Sequence, residues 1–401
     1  MKTLVLHAKY HETYSYYDDW LAAFRAPPAN AEAVNVCEKG SIEAARRIDE
    51  HDLVVLLHST NADALHWLRP WIGPLRDRKR ARVLVLVGNE YNAPRSHCGM
   101  KEKRAFLAQV APDLIGTGLP LDVGAWLYDE LGKSRVVALP GGLNPERFKP
   151  GPPHAQRPLD LGVRTARYNI LLGDMDRVEI VERFQRGPLP FPLVMDLAIG
   201  GGRKTPDEWA AFLASCRGTL ATEAGAAFVE RDDATVNAIA DFLARRHWPL
   251  RLFGIWKRIG NRWLSDRIST LTQLVTEQLI RFRITPGPDA VYAAADIEEI
   301  KGRFFAPPPS TPSGKCISSR HFEAMGTKTC PIMFPGRFND ILVADRHYLA
   351  LARDGSNLRE VLERFRDPAV RERIVEEAHA LVLEKHTLRH RVEEALRLAA
   401  D

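Results

Sequence analysis

The stretch "SSRHFEAMGTKTCPIMFPG", residues 318–336, predicts the start of a helix, a turn and a buried strand. Ser318, Ser319 and Arg320 come at the expected N-terminus of that helix, where free N–H groups and the helix dipole favour a bound anion. Glu323 follows about one turn later. It is either a first-turn acid of a serine-capped helix or a group that binds a hydroxyl of a ligand lying across the helix N-terminus.

Length and composition place this stretch in a folded protein of two domains. A chain of 401 residues is too long for one ordinary core and sufficient for two. Its hydrophobic content of 45% and charged content of 27% are typical of a globular protein. The net charge of +5 suits anionic ligands such as nucleotides, but it is too small to predict a nucleic-acid partner.

Cysteine usage and the N-terminal residues indicate a cytoplasmic protein. The five cysteines are scattered and form neither a CxxC pair nor a zinc-binding spacing, as expected of reduced thiols. The N-terminal apolar run is too short for a signal peptide. We also expect no membrane-spanning helix, because no apolar stretch approaches the roughly 20 residues that such a helix needs.

The first 150 or so residues alternate between short β-rich runs and helical patterns, which predicts βαβ units and a parallel sheet. Near-continuous apolar runs such as "VLVLV" (83–87) fit strands covered on both faces. The predicted strands are Thr3–His7, Leu53–His58, Val83–Gly88, Leu114–Thr117 and Val136–Leu139. The predicted helices are Tyr16–Phe24, Ile42–Glu50, Ala62–Ile72, Lys101–Ala111 and Val123–Leu131.

A linker rich in proline and glycine, starting at Pro140, separates this series from a second α/β series that begins at Leu159–Val163. We therefore predict an N-terminal domain of residues 1–152 and a C-terminal domain of residues 153–386. A helical insertion is expected at about 230–312, and a final helix, 387–401, is expected to pack back on the first domain. The cleft between two such domains is the default ligand site.

Several stretches together resemble glycosyltransferases of the two-Rossmann GT-B fold, of the group 1-like, bacterial surface-polysaccharide type. "RHFEAMGTKTCPIMFPG" is similar to their donor-binding helix, and "LPGGLNPERFKP" (139–150) to the end of their N-terminal domain. The shorter pieces "YSYYDDW" and "GNEY" and the longer ones "FLASCRGTLATEAGAAF" and "DRHYLALARDGSNLREVLE" resemble further parts, in the same order.

The resemblance implies an α/β fold with two doubly wound, Rossmann-like domains facing a central cleft. It implies a transferase that moves a sugar from a nucleotide diphosphate sugar to an acceptor hydroxyl in bacterial surface-glycan or glycoconjugate biosynthesis. Such an enzyme would need no metal and no other cofactor, and retention of anomeric configuration is more expected than inversion. The usual motif has two glutamates eight residues apart; Lys315 stands at the first position here, so Glu223 is an alternative for that glutamate.

Donor binding is expected in the second domain. Arg164 and Arg167, just beyond its first predicted strand, would neutralise a diphosphate leaving group, although they could equally be solvated surface residues. The expected donor-binding residues are Arg164, Arg167, Glu223, Ser318, Ser319, Arg320 and Glu323. The expected catalytic residues are Glu323, Arg164 and Glu90. The D-x-D of Asp174 and Asp176 precedes a helical pattern, so we interpret it as a helix cap and predict no metal site.

Acceptor binding is expected in the first domain, because aromatic rings stack on sugars and carboxylates bind hydroxyls at strand ends. The candidates are His7, Tyr14, Tyr16, Asp18, Asp19, Asn89 and Tyr91. Glu90 is the candidate general base if the reaction inverts the sugar. The alternative is an acidic first helical turn with core aromatics, together with a structural His7.

The segment 243–268 interleaves basic residues with three tryptophans, the composition of a segment lying on an anionic membrane surface. This contact would place the protein at the inner face of the plasma membrane, beside a glycan or glycolipid acceptor. Arginine stems covering a helical hairpin, a flap over the cleft or an oligomer contact remain alternatives.

Two other function classes remain open. One is a nucleotide-sugar epimerase on the same fold, which would need several acids or histidines close to one sugar. The other is a silent nucleotide- or glycan-binding homologue, suggested by Lys315 and by the displaced glycine of the motif, Gly326.

Overall fold

The computed structural model describes residues 1–9, 16–93, 98–165, 170–200, 204–246, 297–307 and 309–401. Two predicted site residues, Tyr14 and Arg167, lie outside these ranges, as do residues 247–268 of the basic, tryptophan-rich segment. The described residues form two α/β domains, each built around one parallel sheet.

The first domain contains six strands and four α-helices in its described part. The strands are β1 (Thr3–His7), β2 (Glu32–Asn35), β3 (Leu53–Leu56), β4 (Arg82–Leu86), β5 (Leu114–Thr117) and β6 (Arg135–Ala138). The helices are α1 (Tyr16–Arg25), α2 (Ile72–Arg76), α3 (Met100–Val110) and α4 (Leu121–Tyr128). All strands pair in parallel in the order β2-β1-β3-β4-β5-β6, so their carboxyl ends share one edge.

Alternating strand residues fill a separate core on each face of this sheet. In β1, Leu4 and Leu6 belong to one core and Val5 to the other, and β4 alternates in the same way. Both faces are apolar because helices cover both sides of a parallel sheet. This arrangement explains the uninterrupted apolar runs in the sequence.

The second domain is built around five parallel strands. They are β7 (Leu159–Thr165), β8 (Met195–Ile199), β9 (Cys216–Ala221), β10 (Cys330–Met333) and β11 (Leu349–Ala350). Their order is β11-β10-β9-β7-β8. The helices from this point on are α5 (Asp176–Arg186), α6 (Pro206–Ala214), α7 (Ala234–Arg246), α8 (Ile297–Phe304), α9 (Ser319–Gly326), α10 (Leu358–Arg366), α11 (Pro368–Lys385) and α12 (Leu388–Ala400).

The last helix, α12, returns to the first domain. Leu388 and Val392 share the core beneath the first sheet with Trp20 and Phe24 of α1. Thr387 caps the N-terminus of α12 through its side chain. The chain therefore crosses between the domains twice, at the linker and immediately before α12.

The predicted fold class, two Rossmann-like α/β domains facing a cleft, is confirmed, and most predicted strands coincide with observed ones to within about two residues. The polar strand β2 was not predicted. The helix predicted at Ile42–Glu50 is a 3-10 helix, Ser41–Glu50. The helix predicted at Ala62–Ile72 is wrong, because only a 3-10 turn, His66–Trp71, forms before α2 and its Pro70 lacks the N–H that an α-helix needs.

None of the helices in the described ranges combines the length and the apolar character that crossing a membrane would require.

Candidate functional site

A cleft of about 490 Å³ lies where the carboxyl ends of the two sheets face each other. Its first-domain wall includes Tyr16, Tyr17, His58, Asp63, Asn89, Glu90, Tyr91 and Asn92. Its second-domain wall includes Leu171, Ala224, Gly225, Cys316, Ile317, Ser318 and Ser319. The cleft thus brings the predicted acceptor loops opposite the N-terminus of α9.

A histidine fixes the N-terminus of α9. His321 accepts a hydrogen bond at Nδ1 from the N–H of Ser318 (2.9 Å) and donates from Nε2 to the carbonyl of Thr222 (3.1 Å). Burial lowers the pKa of His321 to about 3, so the ring is neutral and keeps this tautomer. The start of α9 is therefore tied to the end of β9, with Ser318 and Ser319 at the cleft surface.

Three arginines gather behind this helix start. Arg164, Arg177 and Arg320 line a niche of about 40 Å³ together with Trp209 and His321. Arg164 lies within β7, whereas the sequence predicted it just beyond the strand. Its guanidinium forms an ion pair with Asp196 and lies 4.6 Å from the centre of the Phe212 ring. The niche is a positively charged surface beside the free N–H groups of α9.

Glu323 lies one turn into α9 and is buried, with 8% of its surface exposed. Its Oε2 accepts a 2.8 Å hydrogen bond from Nε1 of Trp209 in α6, and Ser319 contributes a further side-chain hydrogen bond. Burial raises the pKa of Glu323, against the lowering effect of these donors. Trp209 was missed by sequence reasoning, since nothing in "PDEWAAF" links it to a helix more than a hundred residues later.

Glu223 and Lys315, which neighbour the bridged residues Ala224 and Cys316 in the chain, line a different groove of about 580 Å³. Glu223 Oε1 accepts from the N–H of Phe338 at 2.7 Å. This contact ties the end of β9 to the loop after β10, and Glu223 is not among the described residues that line the 490 Å³ cleft. Its expected role in donor binding stays a prediction.

The D-x-D carboxylates are held by basic side chains in the same groove. Lys315 Nζ lies 2.5 Å from Asp174 and 3.0 Å from Asp176, and Arg353 also pairs with Asp176. Asp174 accepts from the N–H of Asp176 at the start of α5, as a cap does (2.9 Å). Within the described ranges, no cluster of three or more metal-ligating side chains occurs.

The first-domain wall of the cleft, where the sequence predicts acceptor binding (the acceptor wall), has an aromatic part formed by Tyr17 and His58. The rings of Tyr17 and His58 stack with centroids 5.2 Å apart and an angle of 9°, and Trp20 approaches His58 at 5.0 Å. Burial lowers the pKa of His58 to about 3, and none of the described residues forms a hydrogen bond with its Nδ1. His58 follows β3 and faces the cleft from that strand end.

Among the predicted acceptor residues, Tyr16, Asn89 and Tyr91 line the cleft. Asn89 has a positive φ of 48° and donates from Nδ2 to Asp63 at 2.8 Å. Trp20 Nε1 donates to the hydroxyl of Tyr16 at 2.8 Å.

Of the other predicted acceptor residues, Tyr14 lies outside the described ranges, and His7, Asp18 and Asp19 are not among the residues that line this cleft. His7 is buried at the end of β1, where desolvation and Arg25 lower its pKa to about 4. Asp18 pairs with Lys9 at 3.6 Å. Asp19 binds Arg147 of the interdomain linker at 2.5 Å, which identifies it as a residue that holds α1 to the linker.

Glu90 accepts three hydrogen bonds within the first domain. Its carboxylate binds the hydroxyls of Thr117 (2.7 Å) and Tyr128 (2.8 Å) and the N–H of Gly118 (2.6 Å). Burial raises its pKa despite these donors. Glu90 therefore joins the ends of β4 and β5 at the base of the cleft.

A buried lysine supports the same loop. Lys103 of α3 is 2% exposed and donates from Nζ to the carbonyls of Gly88 (2.7 Å) and Asn89 (2.8 Å). The sequence held a signal for this lysine, because it falls on the apolar face of α3 with Met100 and Phe106.

Comparison with known proteins gives one family and several solved structures. Residues 237–397 match a family described as glycosyl transferase-like. No curated protein sequence matches the chain significantly.

Three of the solved structures are similar along the whole chain at low sequence identity. An α-glucosyltransferase in complex with UDP-glucose and DNA containing an abasic site is 9% identical, with a TM-score of 0.53 and 100% of both chains covered. HepE of Anabaena, solved with UDP and glucose, is 8% identical, with a TM-score of 0.49 and 100% of both chains covered. Sucrose-phosphate synthase of Thermosynechococcus elongatus is 12% identical, with a TM-score of 0.46 and 100% and 98% of the two chains covered.

Proposed function

Since the chain has the GT-B glycosyltransferase fold and residues 237–397 match a glycosyl transferase-like family, we propose that it transfers a sugar from a nucleoside diphosphate sugar to an acceptor hydroxyl. One observation carries this proposal. The N-terminus of α9, with Ser318 and Ser319 at the cleft surface, opens toward the first-domain strand ends and has three arginines behind it.

The donor diphosphate would lie across the free N–H groups of Ser319 and Arg320. The helix dipole and the arginine niche favour the negative charge that builds up on the diphosphate as its bond to the sugar breaks. The bond between the sugar C1 and the diphosphate oxygen breaks, C1 bonds to the acceptor oxygen, and the acceptor proton passes to the departing diphosphate oxygen. Glu323, oriented by Trp209, would accept a hydrogen bond from a donor hydroxyl.

We propose that the reaction needs no metal and proceeds with retention. The arginines and the helix N-terminus supply positive charge where a metal would otherwise act, and Lys315 and Arg353 already neutralise Asp174 and Asp176. An inverting mechanism requires a general base, and the best candidate, Glu90, is already bound by three donors.

The acceptor would bind against Tyr17, His58 and Asn89 in the first domain. Aromatic faces pack on the apolar side of a sugar ring, and Asn89 and Asp63 offer polar groups for hydroxyls. A glycan or glycolipid of the bacterial surface fits this chemistry. The cytoplasmic location, and a membrane contact through 243–268, are further proposals.

Product analysis with UDP-, GDP-, CDP- and dTDP-sugars and a set of p-nitrophenyl glycosides as acceptors tests this function. We expect one nucleotide series to give an elongated glycoside, whose anomeric configuration proton NMR then assigns. A changed sugar on the nucleotide without an acceptor would support the epimerase instead. Nucleotide binding without any product would support the silent homologue, and both results contradict the proposal.

A further inference from the structure

An aspartate of the second domain caps a helix of the first. Asp233 is 5% exposed, and its carboxylate accepts from the N–H groups of Met100 (3.1 Å) and Lys101 (2.9 Å), the first two residues of α3. Gly99, which precedes α3, has no side chain to fill this role. Helix N-termini need such acceptors, so the first turn of α3 depends on a residue from the other domain.

The same carboxylate holds the acceptor wall. Asp233 Oδ1 accepts from Nδ2 of Asn92 at 2.7 Å, and the Asn92 amide also bonds to the backbone of Glu230 in both directions (2.7 and 2.8 Å). Asn92 is 1% exposed, so these hydrogen bonds are shielded from solvent and hold the amide in one orientation.

The loop Gly88–Asn92 is thus anchored at both ends by groups that depend on the interdomain contact. Lys103 of α3 holds the carbonyls of Gly88 and Asn89, and Asp233 holds Asn92. Arg231 strengthens the contact by lying over the Trp126 ring at 4.5 Å and pairing with Asp129 at 2.9 Å.

We propose that Asp233 is a positioning residue for acceptor binding. From the second domain it holds the acceptor wall of the first domain in place. This inference rests on the function proposed above. The wall would then be complete only while the domains hold this arrangement, and Asp233 would affect acceptor binding without touching the donor.

Asp233→Asn tests the proposal, with Asp232→Asn as the matched control. Asp232 is the exposed neighbour, and it accepts from the N–H of Ala234 in its own domain (3.1 Å). In Asp233→Asn we expect the KM for the best p-nitrophenyl glycoside acceptor to rise about tenfold and the KM for the donor to change less than about twofold. Amide hydrogen exchange at Met100, Lys101 and the 88–92 loop should accelerate by a similar factor.

Gly99 provides an independent variant. A Cβ at Gly99 would lie 2.3 Å from Asp233 Oδ2 and would displace this carboxylate. As a single substitution, Gly99→Ala should therefore raise the acceptor KM. In an Asp233→Ala background the clash is gone, and Gly99→Ala should then add little further effect.

The outcomes distinguish failure of the positioning role of Asp233 from failure of the proposed glycosyltransferase function. Faster exchange with an unchanged acceptor KM would overturn the positioning role while leaving the glycosyltransferase function intact. Unchanged amide hydrogen exchange would show that the Asp233 contact does not hold the 88–92 loop. This result would also overturn the positioning role. A wild type that transfers no sugar would defeat the proposed function and this inference together, and exchange would still report whether the contact exists.

Discussion

Glu323 accepts a 2.8 Å hydrogen bond from the indole of Trp209, which joins α9 to α6 in the second domain. Trp209 lines the arginine niche, and the carboxylate of Glu323 is buried. A buried acid is costly unless donors satisfy it, so Trp209 keeps Glu323 in one orientation one turn behind the helix N-terminus.

Glu323→Gln should lower kcat/KM for the donor at least tenfold, about 1.4 kcal/mol, because the amide is a weaker acceptor for a donor hydroxyl. The glutamine oxygen can still accept from Trp209, so the melting temperature should stay close to that of the wild type. Glu393→Gln, a partly exposed change on α12, is the control. Unchanged kinetics in a folded Glu323→Gln protein would remove this residue from the site.

Trp209→Phe should move the acid limb of the activity profile to higher pH. Burial raises the pKa of Glu323, and the Trp209 hydrogen bond partly lowers it. Without the indole the pKa of Glu323 rises further, so the ionised form is lost at a higher pH. The test is a pH profile of kcat/KM for the wild type, for Trp209→Phe and for the control Trp67→Phe in the first domain. An acid limb of Trp209→Phe that coincides with that of the wild type would contradict the prediction.

His58 should make the protein sensitive to acid. Its pKa is lowered from 6.5 to about 3 by burial, so the folded state binds fewer protons than the unfolded state between these values. Stability is therefore lost as pH falls below about 6.5, by up to about 1.4 kcal/mol per pH unit. Urea unfolding at pH 7, 6 and 5 should show a shallower loss for His58→Phe than for the wild type. Equal slopes would mean that the His58 ring is solvated.

Lys103→Met should destabilise the first domain by about 2 to 5 kcal/mol, because two buried carbonyls would lose their donor. Lys101→Met, an exposed change on the same helix, should cost less than about 0.5 kcal/mol. Equilibrium denaturation measures both. Equal effects of the two substitutions would show that the Lys103 ammonium does not hold the Gly88–Asn89 carbonyls.

The segment 243–268 should bring the protein to anionic vesicles at low salt, because each basic residue near such a surface contributes roughly 1 kcal/mol. Flotation with anionic and with neutral vesicles makes the comparison, and added salt should release the protein. Recovery in the soluble fraction with anionic vesicles at low salt would rule out the membrane contact.

The sequence was sufficient for the architecture because the signals of parallel strands are local. Strands such as β1 and β4 are apolar on both faces, and "VLVLV" can be recognised without knowing its neighbours. The strand β2, "EAVN", was not predicted, because the polar residues at its two ends are typical of a loop.

Residues of the cleft could be predicted only where a local signal marks the end of an element, as at Ser318 and Ser319 before α9 and at Asn89 after β4. Asp233 lies 141 residues from Asn92, and its own surroundings in the chain resemble an ordinary acidic loop. The ion pair between Arg164 and Asp196 was likewise not predicted, because Asp196 lies on the neighbouring strand β8. Contacts between distant segments depend on the packing of the domains, which local patterns do not encode.

The proposed donor site is tested most sharply by a crystal structure with the nucleoside diphosphate that stabilises the protein most. We expect pyrophosphate oxygens within about 3 Å of the N–H groups of Ser319 and Arg320, with the nucleoside on the second domain. A pyrophosphate bound instead in the groove of Lys315 and Arg353, away from the N-terminus of α9, would contradict the proposed site.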